Sequence, residues 1–333
     1  MNDKKKRLLI GLFISSILIF FGIMQYKKIK ERDITFPIEG DIISFSTRVD
    51  CLIGLTTNGE LVEYDRNGKK KAINQADVKY ISDFGELFLI KSDGSIVINL
   101  DDNYNGNIIG KIPGATSGCV WSDMIVIVTD EGELFFYTDN PEVSFDFKNI
   151  ETIDGWTKVN DVSNVTKAYV YRNSGNETIF TLNTQGEVFC IGTNNIFEDS
   201  FFHKTSEDLQ VVDISSQGTT LLILDEQGNV FQIGENIIAN YSYLNEIEII
   251  EKLSSVKKLS TSYVQGAALT SQGEVYVWRK EGYGKGKAWI ERTAFEKVLD
   301  GDWENVIISN YLYVFSKGLA RRIDYKSLVR FED

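Results

Sequence analysis

The chain has 333 residues, with 35 Lys and Arg against 48 Asp and Glu and a formal net charge of −13. Hydrophobic residues make up 43%, enough to bury a large core, while the acidity excludes a body built to grip the nucleic-acid backbone. Three cysteines, Cys51, Cys119 and Cys190, are too few and odd in number for a disulfide framework.

Lys4-Lys5-Lys6-Arg7 precedes an uncharged run of 17 residues, Leu8–Met24. As a helix this run is about 26 Å long, near the lower limit for crossing a bilayer core. No small-residue cleavage site follows it, and the first cysteine is Cys51, so an uncleaved signal-anchor is expected. Residues 1–7 then form a cytoplasmic basic tail, 8–24 a transmembrane helix, 25–36 a short stalk and 37–333 the folded body. Basic residues flank both sides of the run, and a very short basic tail usually stays in the cytoplasm. The expectation is a single-pass protein of the cell membrane with its body outside the cytoplasm. The short basic tail, the minimal anchor and a Lys/Asn/Ile-rich composition point to a bacterial cell. The first 32 residues hold 8 of the Lys and Arg and 2 of the Asp and Glu, so the body alone stands near −19.

Seven glycines then recur in one local frame: Gly59, Gly94, Gly132, Gly186, Gly228, Gly273 and Gly318. Their turns read TTNG, KSDG, TDEG, NTQG, DEQG, TSQG and FSKG. Each is flanked by runs rich in β-branched and aromatic residues, which predicts a hairpin with a type I turn and a bulge at the glycine. The second and third residues after the glycine are both apolar in most copies, as in Leu61/Val62, Val188/Phe189 and Val230/Phe231. A strand apolar on both faces is covered on both faces.

An apolar-Ser step precedes most hairpins, as at Ile43-Ser44, Ile81-Ser82, Ile214-Ser215, Leu259-Ser260 and Ile308-Ser309. These serines are expected to bond nearby backbone at a strand end. Asp154-Gly155-Trp156 and Asp300-Gly301-Asp302-Trp303 look alike and read as lead-ins to strands. The glycines are spaced by 35, 38, 54, 42, 45 and 45 residues, a period that indicates a β-propeller of seven blades. The predicted fold is therefore all-β, a seven-bladed β-propeller preceded by one N-terminal transmembrane helix. For ring closure, Ile34–Ile38 and Leu328–Phe331 are candidate partners.

The segments Ala268–Trp278 (ALTSQGEVYVW), Thr181–Asn194 (TLNTQGEVFCIGTN) and Leu222–Asn236 (LILDEQGNVFQIGEN) resemble the repeat core of the RCC1 family of seven-bladed propellers. The likeness spans roughly residues 40–333 and is best in blades four to six. It implies the fold more than any activity: chromatin association is not expected of so acidic a body, nor nucleotide exchange on a GTPase outside the cytoplasm. Leu61–Ile73 also resembles a pyrroloquinoline-quinone-type blade, in that blade alone.

The sequence offers no catalytic constellation. Its one histidine, His203, lies in an expected inter-blade insertion, Asn195–Gln210, without a nucleophile motif. Asp101, Asn103 and Asn105 match the first half of a calcium loop, but Ile112 stands where the bidentate Glu belongs. The run Gly282–Lys287 superficially resembles a phosphate loop. Carboxylate pairs such as Asp300/Asp302 and Glu246/Glu248 carry little specificity in an acidic protein. No cofactor is expected. The irregular segments Tyr171–Glu177, Asn195–Gln210 and Glu281–Trp289 supply the binding-loop candidates Arg172, Asn173, His203, Tyr283 and Trp289. The leading expectation is a membrane-anchored, non-enzymatic module that binds a protein partner and no nucleic acid. The alternatives are recognition of cell-surface glycan through exposed aromatics, or a glycan hydrolase or lyase with carboxylates in the propeller channel.

Overall fold

The computed structural model describes residues 33–48, 50–82, 86–121, 123–140, 149–173, 176–192, 202–204, 209–217, 220–235, 243–262, 265–279 and 296–324. Twenty-nine strands form seven antiparallel sheets. Blade one is β2 (Ile42–Arg48), β3 (Cys51–Thr56), β4 (Leu61–Tyr64) and β5 (Lys70–Ala72); strand β1 (Asp33–Pro37) comes before it in the chain. Blade two is β6 (Val78–Ile81), β7 (Leu89–Lys91), β8 (Ser95–Ile98) and β9 (Asn107–Lys111). Blade three has five strands: β10 (Ala115–Trp121), β11 (Met124–Thr129), β12 (Leu134–Thr138), β13 (Ile150–Ile153) and β14 (Trp156–Val159). Blade four is β15 (Val165–Asn173), β16 (Asn176–Asn183), β17 (Val188–Gly192) and β18 (Phe202–Lys204). Blade five is β19 (Val211–Gln217), β20 (Thr220–Asp225), β21 (Val230–Glu235) and β22 (Tyr243–Ile249). Blade six is β23 (Val256–Ser262), β24 (Gln265–Thr270), β25 (Val275–Arg279) and β26 (Glu296–Leu299). Blade seven is β27 (Asn305–Ile308), β28 (Leu312–Ser316) and β29 (Leu319–Ile323), completed by β1.

The double-sided apolar strands do what their pattern requires. In β20, Leu221 and Ile223 pack with blade four, while Leu222 and Leu224 pack with blade six. In β24 the alternation repeats, with Ala268 toward blade five and Ala267 and Leu269 toward blade seven. Buried clusters bridge every junction of the ring, so the core is a closed series of blade-to-blade interfaces. Each fully buried side chain in it contributes about 1.5–3 kcal/mol.

Closure uses the N-terminal strand. β1 pairs with β29, Asp33 opposite Ile323 and Pro37 opposite Leu319, and Phe36 is buried within 5.5 Å of the Tyr64 ring. Strand β1 thus starts inside the stretch 25–36 expected as stalk. The partner of the N-terminal strand is Leu319–Ile323; Leu328–Phe331 lies outside the described residues.

Two readings of local signals are refined. Asp154-Gly155 leads into a strand, β14, as expected, but inside blade three and not at its start: both residues have positive φ, 50° and 83°, and form the two-residue turn between β13 and β14, for which Asp-Gly is well suited. Asp300–Trp303, its look-alike, leads into β27. The serines are not all local either. Ser82 Oγ donates to Glu86 O and accepts from Phe88 N, both at 3.0 Å within blade two. Ser260 Oγ accepts from Ile308 N in blade seven at 3.0 Å, and Ser215 Oγ meets Thr261 Oγ1 of blade six at 2.6 Å. These hydroxyls pin adjacent blades.

Candidate binding face

Because every blade is antiparallel, the propeller has two unlike faces. All seven repeat glycines lie in the turns between second and third strands, with φ between 73° and 85°. These turns and the connections between blades make the turn face. The opposite loop face holds the turns between first and second strands and the connections from third to fourth.

On the turn face the glycines join neighbouring blades. Gly59 O accepts from Val78 N at 3.0 Å, Gly132 O from Val165 N at 2.9 Å and Gly228 O from Val256 N at 2.9 Å, each donor opening the next blade. The approach is close enough to demand glycine: a Cβ on Gly94 would stand 2.3 Å from Ile112 O. Gly318 O accepts from Ile38 N at 2.7 Å and closes the circle.

The loop face is built differently at each blade. In blade two Asp101 caps its own turn: Oδ1 accepts from Asn103 N at 2.8 Å and Asn105 N at 2.9 Å. These N–H groups hold the Asp101 carboxyl below its usual range. Arg48 of blade one reaches across, donating to Asp101 O at 2.7 Å and Leu100 O at 3.0 Å, with Asp102 Oδ1 at 3.3 Å. A guanidinium thus occupies a carbonyl of the half-matched calcium loop, and the turn works as a clasp between blades one and two. Behind it Tyr104, buried and with φ 63°, donates its phenol to Glu63 Oε2 at 2.5 Å. Burial, then the Glu63 carboxylate, pushes the Tyr104 phenol far above its ordinary range, so it stays a donor. Cys51 beside it is raised by burial and by the charges of Glu63, Asp50 and Asp65, so its thiol is held protonated, unlike an activated nucleophile.

Of the binding-loop candidates, strand direction brings Arg172 and Asn173 to this face. Arg172 and Asn173, expected in an irregular insertion, instead extend β15 and pair with Glu177 and Asn176 of β16. This makes the hairpin of blade four the longest of its kind, at 9 and 8 residues. His203, also expected in a loop, sits in β18, opposite Cys190 in register. Tyr283 and Trp289 lie outside the described residues. The named carboxylate pairs stand elsewhere: Asp300 and Asp302 lie in the connection at the turn face, and Glu248 lies in β22, the outermost strand of blade five. Among the described residues no three His, Cys, Asp or Glu side chains converge as metal ligands.

One groove of about 500 Å3 lies between blades two and three, lined by Lys111, Pro113, Asp130, Phe135, Ile153 and Lys158 among others. Its charges are largely paired off, Lys158 with Glu133 at 2.5 Å and Lys111 with Asp93 at 3.0 Å. Sequence reading missed it because the extra strand β13 forms part of its wall.

Yeast RCC1 (Prp20), in its complex with Kap60, matches with a TM-score of 0.59 and 11% identity, covering 85% of this chain and 80% of its own. Human WBSCR16 gives 0.54 and 12%, covering 86% and 88%. The fold is that of an RCC1-like seven-bladed β-propeller. The propeller of Cps50 (Swd1) from Myceliophteria thermophila, at 0.51 and 14% over 85% and 97%, shares the architecture. No family model matches the chain, and no curated protein matches it. At 11–14% identity the likeness is one of fold. Among the described residues no helix is long and apolar enough to cross a membrane, and Leu8–Met24 lies outside them.

Proposed function

We propose that this chain is a membrane-anchored, RCC1-like propeller that holds a protein partner on its loop face and performs no chemistry of its own. The observation that carries this is the division of labour between the faces. The turn face is consumed by ring-closing contacts, whereas the long β15–β16 hairpin and the Asp101 clasp stand on the other side. Rigid scaffolds with irregular loops on one face are built for recognition. Yeast RCC1 (Prp20), which shares the ring, is itself seen bound to Kap60 and has described binding properties toward Gsp1p and histones. In our reading Leu8–Met24 anchors the chain as a single-pass protein, with the propeller outside the cytoplasm of a bacterial cell.

A photo-crosslinking amino acid placed at Asn173 or Asp139 on the loop face, and at Gln227 on the turn face, tests this in native membranes. One discrete protein adduct from the loop-face positions alone is expected. Adducts from Gln227 alone would overturn the assignment of the face. Adducts with glycan alone would move the function to the glycan-binding reading.

A further inference from the structure

The way β1 enters the ring favours one side for the tether of the propeller. β29 leaves the Gly318 turn at Leu319 and runs to Ile323, so Ile323 and its partner Asp33 both stand at the loop face. Arg321 Nε donates to both Asp33 carboxylate oxygens, at 2.8 and 3.0 Å, and Nη2 adds a further bond to Oδ2, which pins the point of entrance. Only residues 25–32 separate Leu8–Met24 from that point. Eight residues reach at most about 28 Å when fully extended. To present the turn face to the bilayer, the chain would have to double back along blade seven. That detour takes about 17 Å, the length of a five-residue strand. The direct path presents the loop face.

Charge then selects what can sit there. Glu86, Asp101, Asp102, Asp139 and Asp154 are exposed on the loop face, against Arg66, Lys69 and Lys70 among its exposed described residues. Anionic lipid repels such a surface, and a cationic peptide is drawn to it.

We propose, resting on the anchor and the loop-face reading above, that the loop face lies toward the bilayer and that its partner is the basic juxtamembrane segment of a second protein in the same membrane. The acidic face stands off the lipid, and the tether confines the search to a layer about 28 Å deep.

The test uses the full chain. With Cys51→Ser as background, Asp102→Cys (loop face) and Gln227→Cys (turn face) are labelled with a donor dye and reconstituted in phosphatidylcholine/phosphatidylglycerol vesicles carrying an acceptor-headgroup lipid. Energy transfer at Asp102 should exceed that at Gln227 by about twofold or more, since the labels stand about a strand length apart. Equal or reversed transfer overturns the proposal; Asp139→Cys and Glu226→Cys provide a second pair should either variant fold poorly. Photo-crosslinking from Asp102 in native membranes should then capture a membrane protein through a Lys/Arg-rich peptide next to its span. A soluble partner overturns this inference but leaves the protein-binding function standing. So does a crosslink to the chain's own residues 25–32, or to lipid alone, as regards the partner named here. Carbonate extraction that frees the chain from native membranes sinks the anchor itself, a separate failure.

Discussion

The two faces of this propeller are made by one repeat and obey different rules. On the turn face one set of contacts recurs around the ring: a glycine at positive φ, a carbonyl offered to the next blade, and little space for a side chain. On the loop face each blade improvises, with an Asp-capped clasp in blade two, a fifth strand in blade three and a long hairpin in blade four. Repetition marks where the chain must meet itself; irregularity marks where it is free to meet something else.

The comparison breaks most severely if the circle is opened. A chain beginning at Gly40 loses Phe36, the β1–β29 pairs and the Ile38–Gly318 bond. We expect it to lose more than about 4 kcal/mol, read as a lower urea midpoint. Unchanged stability would mean that β1 does not close the ring. Gly94→Ala comes next, at about 3 kcal/mol or more, because a strained φ of 85° is joined by a 2.3 Å encounter with Ile112 O. Gly155→Ala, on the loop face, is the matched control. Its φ of 83° is the same, yet no atom lies within 4 Å of a new Cβ, so about 1 kcal/mol is expected. Equal losses at Gly94 and Gly155 would show that backbone conformation, and not the meeting of blades, sets the need for glycine.

The smallest effect concerns acid. Asp93 on the turn face is held at about 2, first by the Ser95 N–H and then by Lys111. A carboxyl depressed in the folded state contributes stability above its unfolded pKa and loses it as pH falls through the folded value. Asp93→Asn should therefore lower the urea midpoint slightly at pH 7 and flatten its fall between pH 4 and pH 2, so that the two chains converge near pH 2. A slope identical to that of the parent chain would assign the acid sensitivity elsewhere.

Much of this architecture was legible because its signals are local and repeat. A glycine four residues after one apolar position and two before another marks a hairpin by turn chemistry alone, and all seven are hairpin turns in the structure. The apolar pairs after them read as strands covered on both sides, as Leu61 and Val62, facing different neighbours, show. What escaped depends on distant partners. Asp154-Gly155 and Asp300-Gly301 have the same turn chemistry, and only pairing tells that they lie on opposite faces. Ser215 and Ser260 looked like any strand-end serine, since their partners Thr261 and Ile308 belong to the next blade. Asp77, Asn164 and Ser255 each take positive φ just before a blade opens, a repeated role that three different residue types conceal. In the sequence Arg172 and Asn173 read as part of an irregular insertion; that they extend a hairpin to the loop face followed only from strand pairing. That Asp101 caps a turn under Arg48 could not be read from a motif half-matching a calcium loop.

The clasp between Asp33 and Arg321 joins residues 288 positions apart. During synthesis the strand that emerges first must wait for nearly the whole chain before its partner exists, roughly 15–60 s at ordinary rates of elongation. Through that interval six blades can stack in order, each on the one before, while the seventh remains one strand short. The ring is thus a structure whose beginning is its last part to fold.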